Sequence, residues 1–206
     1  MKMMERDIEI LNFINGMGYC TAWHLGKRFS LKLRRVYKIM GRLIEAGFVH
    51  HQRIYHGMPG VFYLSKAGAF YTSLPCIDSI PKGIYDHQLM VVEVAIRLFK
   101  LHPDATWVSE RHLKQQKFHY GIGKANHIAD GLLIFPDKRK IAIEVEMTMK
   151  SKRRLNEIFN AYGSQLNIEQ AWYFCADEII DSMAVLSEKK DYIKIHSLKE
   201  LLHESR

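Results

Sequence analysis

The stretch Asp130-Gly131-Leu132-Leu133-Ile134-Phe135-Pro136-Asp137-Lys138-Arg139-Lys140-Ile141-Ala142-Ile143-Glu144-Val145-Glu146 reads as two β-strands joined by a tight turn. Strands over His127–Phe135 and Lys140–Thr148 are expected, closed around Pro136-Asp137-Lys138-Arg139. Alternate residues of a strand share a face. Leu133, Phe135, Ile141, Ile143, Val145 and Met147 are odd-numbered and apolar, so that face is expected to be core. Asp130, Glu144 and Glu146 fall together on the other. With the turn centred on Asp137, Asp130 stands opposite Glu144, and Glu146 lies two residues beyond.

Like charges opposed in a sheet are destabilising, so something must offset them. Mg²⁺ would do so, being held by one or two carboxylates, waters and phosphate oxygens. Lys150, Lys152, Arg153 and Arg154 follow immediately and suit those phosphates. The plainer alternative is a solvated acidic face paired with Lys138, Arg139 or Lys140. Against it, the run from Ile141 to Glu146 is otherwise wholly apolar, which predicts helices on both faces. Carboxylates inside such a run are costly unless paired or metal-bound. Asp130 and Glu144 are therefore the expected metal ligands, with Mg²⁺ as the only expected cofactor.

Outward from the hairpin, a helix is expected from Ile84 to about His102, where Pro103 ends it. Strands follow at Thr106–His112, Ala171–Cys175 and Tyr192–His196, with helices at Ser151–Asn167, Asp177–Lys189 and Leu198–His203. The order α-β-β-β-α-β-α-β describes an α/β domain with a mixed sheet over 84–206. His87 and Glu93 on its first helix are further candidates for the acidic site, although a helix histidine more often packs or caps.

The charge is +8 over 206 residues, and most of it sits early. Residues 1–74 carry 11 Lys+Arg against 4 Asp+Glu; residues 75–206 carry 19 against 18. A basic first part faces a polyanion. Ile8, Leu11 and Ile14 recur at helical spacing until Gly16 and Gly18. Thr21 can cap a short helix to Phe29, and Ser30 a longer one to Ala46. On that third helix Leu33, Val36, Met40, Leu43 and Ile44 form an apolar stripe, with Lys32, Arg35, Lys38 and Arg42 on another ridge. Strand-like runs Phe48–Tyr55 and Val61–Leu64 flank His56-Gly57-Met58-Pro59-Gly60. Helix, helix, basic helix and glycine-tipped hairpin is the order of a winged helix-turn-helix. Double-stranded DNA is the expected partner, contacted by Lys32, Arg34, Arg35, Lys38 and Arg42 from the helix and by Arg53 and His56 from the wing. His50, His51 and His56 lack zinc spacing and read as polar strand residues. The segment 75–83, with its prolines, serine and glycine, reads as a linker.

A hydrophobic content of 48% excludes wholesale disorder, and no apolar run approaches a membrane span. The charged start is not a signal peptide. Three widely spaced cysteines suit reduced thiols in a cytoplasm.

Taken together, these motifs resemble a known family. Asp130 on one strand and Glu144-Val145-Glu146 on the next look like the PD-(D/E)XK restriction-endonuclease-like fold. The whole chain is similar to the replication-relaxation family of plasmids and mobile elements. The stretches that carry this likeness are Arg34-Arg35-Val36-Tyr37, residues 63–68, and 142–154. The resemblance implies a winged helix joined to an endonuclease-like domain, with partners in replication or mobilisation. It also expects a lysine where Glu146 stands, which puts cleavage in doubt and implies that catalysis would need Glu146 as a general base or a displaced lysine, Lys150 or Lys152. Three activities are thus expected to compete: a double-stranded DNA-binding protein acting in replication, mobilisation or transcriptional control; a Mg²⁺-dependent endonuclease; and a repressor whose second domain forms a homodimer.

Overall fold

The computed structural model describes residues 3–119 and 127–203. They form two compact units, Met1–Val92 and Glu93–Arg206.

The first unit opens with α1 (Glu5–Met17), whose first turn is closed by the Asp7 carboxylate accepting the Met4 N–H at 3.2 Å. Gly18, at φ 80°, ends it. A short strand β1 (Cys20–Thr21) leads into α2 (Ala22–Arg28). Thr21 Oγ1 accepts from His24 N, and His24 Nδ1 accepts from Thr21 N, a reciprocal cap with histidine in the place glutamate usually takes. Helix α3 (Leu33–Glu45) starts later than expected. Ser30 does not cap it: Ser30 stands at φ 53° inside the turn, and Lys32 precedes the first helical residue. Gly47 N bonds to Ile44 O and Phe48 N to Leu43 O, so α3 ends in a Schellman turn that requires glycine at φ 75°.

The apolar face of α3 is Val36, Ile39, Met40 and Leu43. This corrects the expected stripe, because Leu33 and Ile44 are exposed by 47% and 38%. Strands β2 (Val49–Gln52) and β3 (Val61–Leu64) pair antiparallel and are joined by a loop tipped by Gly57, and the sheet order is β1-β3-β2. A one-turn helix α4 (Lys66–Ala69) returns the chain toward α1.

The stretch 75–83, expected as a linker, is packed on this unit. Ile80 is buried with Tyr19, Val61 and Tyr85, and Asn15 Nδ2 donates to Leu74 O at 2.7 Å. Its isoleucines, rather than its prolines, decide where it lies. The division between the units falls inside α5 (Tyr85–Leu101) instead.

The second unit is a mixed α/β domain. Its five strands run in the order β4 (Thr106–Ser109), β5 (Gly131–Ile134), β6 (Lys140–Glu146), β7 (Gln170–Cys175) and β8 (Ile193–Ser197). The first three pair antiparallel and the last three parallel. Helix α6 (Glu110–His119) stands between β4 and β5, where an uninterrupted strand had been expected to reach His112. Ser109 caps it, accepting from His112 N. Helices α7 (Lys152–Gly163), α8 (Asp177–Ser187) and α9 (Leu198–His203) complete the chain.

As the apolar run predicts, both faces of β6 are covered: every residue from Ile141 to Glu146 is buried, the even-numbered Ala142, Glu144 and Glu146 included. Ala142, Ala171, Tyr173 and Cys175 pack against Leu155, Ile158, Phe159 and Tyr162 of α7 and Ile179 and Met183 of α8. On the opposite face, Trp172 and Phe135 meet His102 at the end of α5.

Candidate functional site

Two groups of residues carry chemistry, one in each unit. In the second, Gly131 pairs with Ile143, so continuing that register sets Asp130 opposite Glu144. The turn around Asp137 places Lys138 at φ 71° and holds Arg139 Nε against the Asp137 carboxylate at 2.6 Å. The two acids are held differently. Asp130 Oδ2 accepts the Val145 backbone N–H at 2.8 Å. Glu144, only 2% exposed, receives two protein donors on one oxygen: His127 Nε2 at 2.5 Å and the Tyr162 hydroxyl. Glu146, 3% exposed, is paired with the Lys150 ammonium.

Burial pushes the Glu144 carboxyl above its usual range, against the hydrogen bond from His127. For His127 burial works against the charged ring, yet the hydrogen bond and charge of Glu144 outweigh it, and the imidazole ends above its ordinary value. Burial, then the charge of Glu144, raises the Tyr162 phenol well above its usual range. The Tyr173 hydroxyl, on the residue in register beside Glu144, is buried and finds no hydrogen-bond partner among the described residues. The opposed carboxylates are thus offset by an imidazole, a phenol, an ammonium and a backbone amide.

Mg²⁺ is held through carboxylate oxygens that keep water and phosphate beside it, whereas one oxygen of Glu144 is engaged by two side chains. Among the described residues, no three His, Cys, Asp or Glu side chains converge in metal-ligating geometry. Of the expected phosphate holders, Arg153 and Arg154 pair with Glu157 at 3.0 and 3.5 Å on an exposed surface. Glu93, a minor candidate for the site, is 7% exposed with Arg97 Nε at 3.6 Å.

In the first unit α3 turns Lys32, Arg34, Arg35 and Lys38 to solvent, with Tyr37 55% exposed among them. Arg42 differs, because its guanidinium pairs with the buried Asp7. Arg53 and His56 are exposed in the β2–β3 loop. His50 packs against Tyr63, and His51 stacks on Phe62 at 4.6 Å.

His127 and Tyr162 were not singled out by the sequence. His127 lies beyond the paired end of β5, and Tyr162 comes from the last turn of α7. The available signal was a histidine three residues before the acid at the strand mouth. No protein-family model, curated protein or solved structure matches the chain. Among the described residues, no helix is long and apolar enough to cross a membrane.

Proposed function

We propose that the chain is a double-stranded DNA-binding protein of the replication-relaxation type, carried by a plasmid, phage or other mobile element and acting in replication, mobilisation or transcriptional control. The observation that carries this reading is the exposed cationic ridge of α3, Lys32, Arg34, Arg35 and Lys38, beside an antiparallel hairpin whose loop bears Arg53 and His56. A helix of this length and charge fits a major groove, while the loop reaches the neighbouring backbone, as in winged-helix domains. Phosphate contacts dominate the affinity of such proteins and make it salt-dependent. The second domain, read as endonuclease-like, acts as a platform for DNA or for a replication or mobilisation partner. A homodimer would match a palindromic site.

Anisotropy of a labelled duplex, titrated with the full chain across a salt series, tests this. Arg34→Ala with Lys38→Ala lowers affinity for unrelated duplexes alike and flattens log K against log salt by about 0.9 per lost phosphate contact. An unchanged slope removes the ridge from the interface.

A second reading, a Mg²⁺-dependent endonuclease, draws on the register that opposes Asp130 and Glu144. Incubating supercoiled plasmid with Mg²⁺ or Mn²⁺ separates the two. Nicking abolished by Asp130→Ala in a folded protein establishes cleavage. Intact plasmid alongside duplex binding leaves the platform reading.

A further inference from the structure

A cleft on the first unit lies between the start of α1 and α3. It measures about 440 Å³ and is lined by Arg6, Arg35, Tyr37, Lys38, Gly41 and Arg42, with Glu45 as the carboxylate among its walls. Arg42 is committed to Asp7. Arg35 and Lys38 make no ion pair among the described residues. Arg6 is in a more unusual state. Its Nε and one terminal nitrogen are buried and donate no hydrogen bond among the described residues, the Asp7 carboxylate standing 4.0 Å away, although the side chain as a whole is 33% exposed. Buried donors without an acceptor are destabilising, and most proteins avoid them.

Gly41 supplies an independent observation. Glycine inside a helix lowers stability relative to alanine. A Cβ at Gly41 would meet nothing within 4 Å, so no atom of the described structure requires the side chain to be missing. The partly exposed Arg6 side chain and the unused room at Gly41 line the same cleft.

We propose that this cleft takes a phosphate, and specifically a phosphodiester of the duplex backbone, with the Arg6 guanidinium turning into the cleft to donate to its non-bridging oxygens. Arg35 and Lys38 supply the remaining charge, and the bare helix surface at Gly41 lets the sugar–phosphate chain lie close. Phosphate fits better than a carboxylate because the planar guanidinium and two further cations exceed what one carboxylate neutralises. Backbone phosphate fits because Lys38 belongs to both the cleft and the exposed ridge, so one continuous strand reaches both. The inference rests on the DNA-binding reading and adds a contact from α1 to it.

The test uses the full chain, a labelled duplex over a salt series, and thermal unfolding with and without inorganic phosphate. Arg6→Ala weakens binding about tenfold whatever the sequence and lowers the salt slope by about 0.9. Arg6→Lys, which keeps the charge but loses the fork, retains most of the slope. Gly41→Ala melts at a higher temperature without DNA yet binds duplex several-fold more weakly. If Arg34→Ala flattens the slope and Arg6→Ala does not, or if Gly41→Ala binds like the parent, the cleft is no phosphodiester site while the DNA reading stands. If the parent binds no duplex at about 50 mM salt, the DNA reading fails and takes the phosphodiester with it. Inorganic phosphate that then raises the melting temperature of the parent, but not of Arg6→Ala, assigns the cleft to free phosphate. No effect of phosphate overturns the site altogether.

Discussion

Arg42 of α3 and Asp7 of α1 meet at 2.6 Å, and the Asp7 carboxylate has no exposed surface. This pair ties the basic helix to the one before it. Removing one partner of such a pair strands a buried charge, at about 3 kcal/mol. Arg42→Ala therefore lowers the urea midpoint of the first unit. Arg34→Ala, on the exposed side of the same helix, stays within about 0.5 kcal/mol of the parent. Equal effects at the two positions would show that the pair does not bind α1 to α3.

His24 makes the first unit sensitive to acid. Burial, assisted by the charge of Lys27, lowers its pKa from 6.5 to about 4. Because the folded value is the lower one, the unfolded chain takes up the proton first. Stability is then full above about 6.5 and falls as pH drops toward about 4, by about 3 kcal/mol in all. His24→Gln keeps a side-chain acceptor for Thr21 N and flattens this decline. Urea midpoints at pH 7, 5 and 4 measure it.

Gly68 and Gly41 are both helical glycines with opposite expectations. A Cβ at Gly68 would stand 2.0 Å from Phe48 O, which accepts from Ser65 N where the hairpin closes. The neighbour is backbone and cannot swing away. Gly68→Ala therefore costs about 3 kcal/mol, read as a lower melting temperature, whereas Gly41→Ala raises it.

In the second unit, Tyr162→Phe removes one of the two donors to Glu144 and leaves its oxygen less satisfied. The cost is about 2 kcal/mol. Combined with Glu144→Gln, which removes the buried charge, the same change costs less. Additive effects in that double-mutant cycle would show that the hydroxyl does not serve the carboxylate.

Asp130 and Glu144 could be placed opposite each other from numbering alone, because a tight turn and a two-residue period leave few registers. The C-terminal end of α3 and its buried positions Val36, Met40 and Leu43 were legible for a similar reason. Ser30 misled because a serine before a helix looks like a cap unless its backbone is known to be left-handed. Helix α6 was hidden by the β-rich Trp107-Val108 before it and by its own polar composition, although Ser109 and His112 have the spacing of the Thr21–His24 cap, with the imidazole bonding the serine hydroxyl rather than the backbone N–H. The donors to Glu144 were illegible for a deeper reason. His127 and Tyr162 reach it through packing between separate elements, and no spacing in the chain encodes that meeting.

Glu144 and Glu146 also proofread the threading of the sheet. If β6 slipped by a single residue, both acids would swap sides with Ile143 and Val145, into hydrocarbon and away from the imidazole, phenol and ammonium that accommodate them. A strand of isoleucine and valine alone would tolerate that error. This one penalises it twice, so its polar residues select one sheet alignment from among near-equivalents.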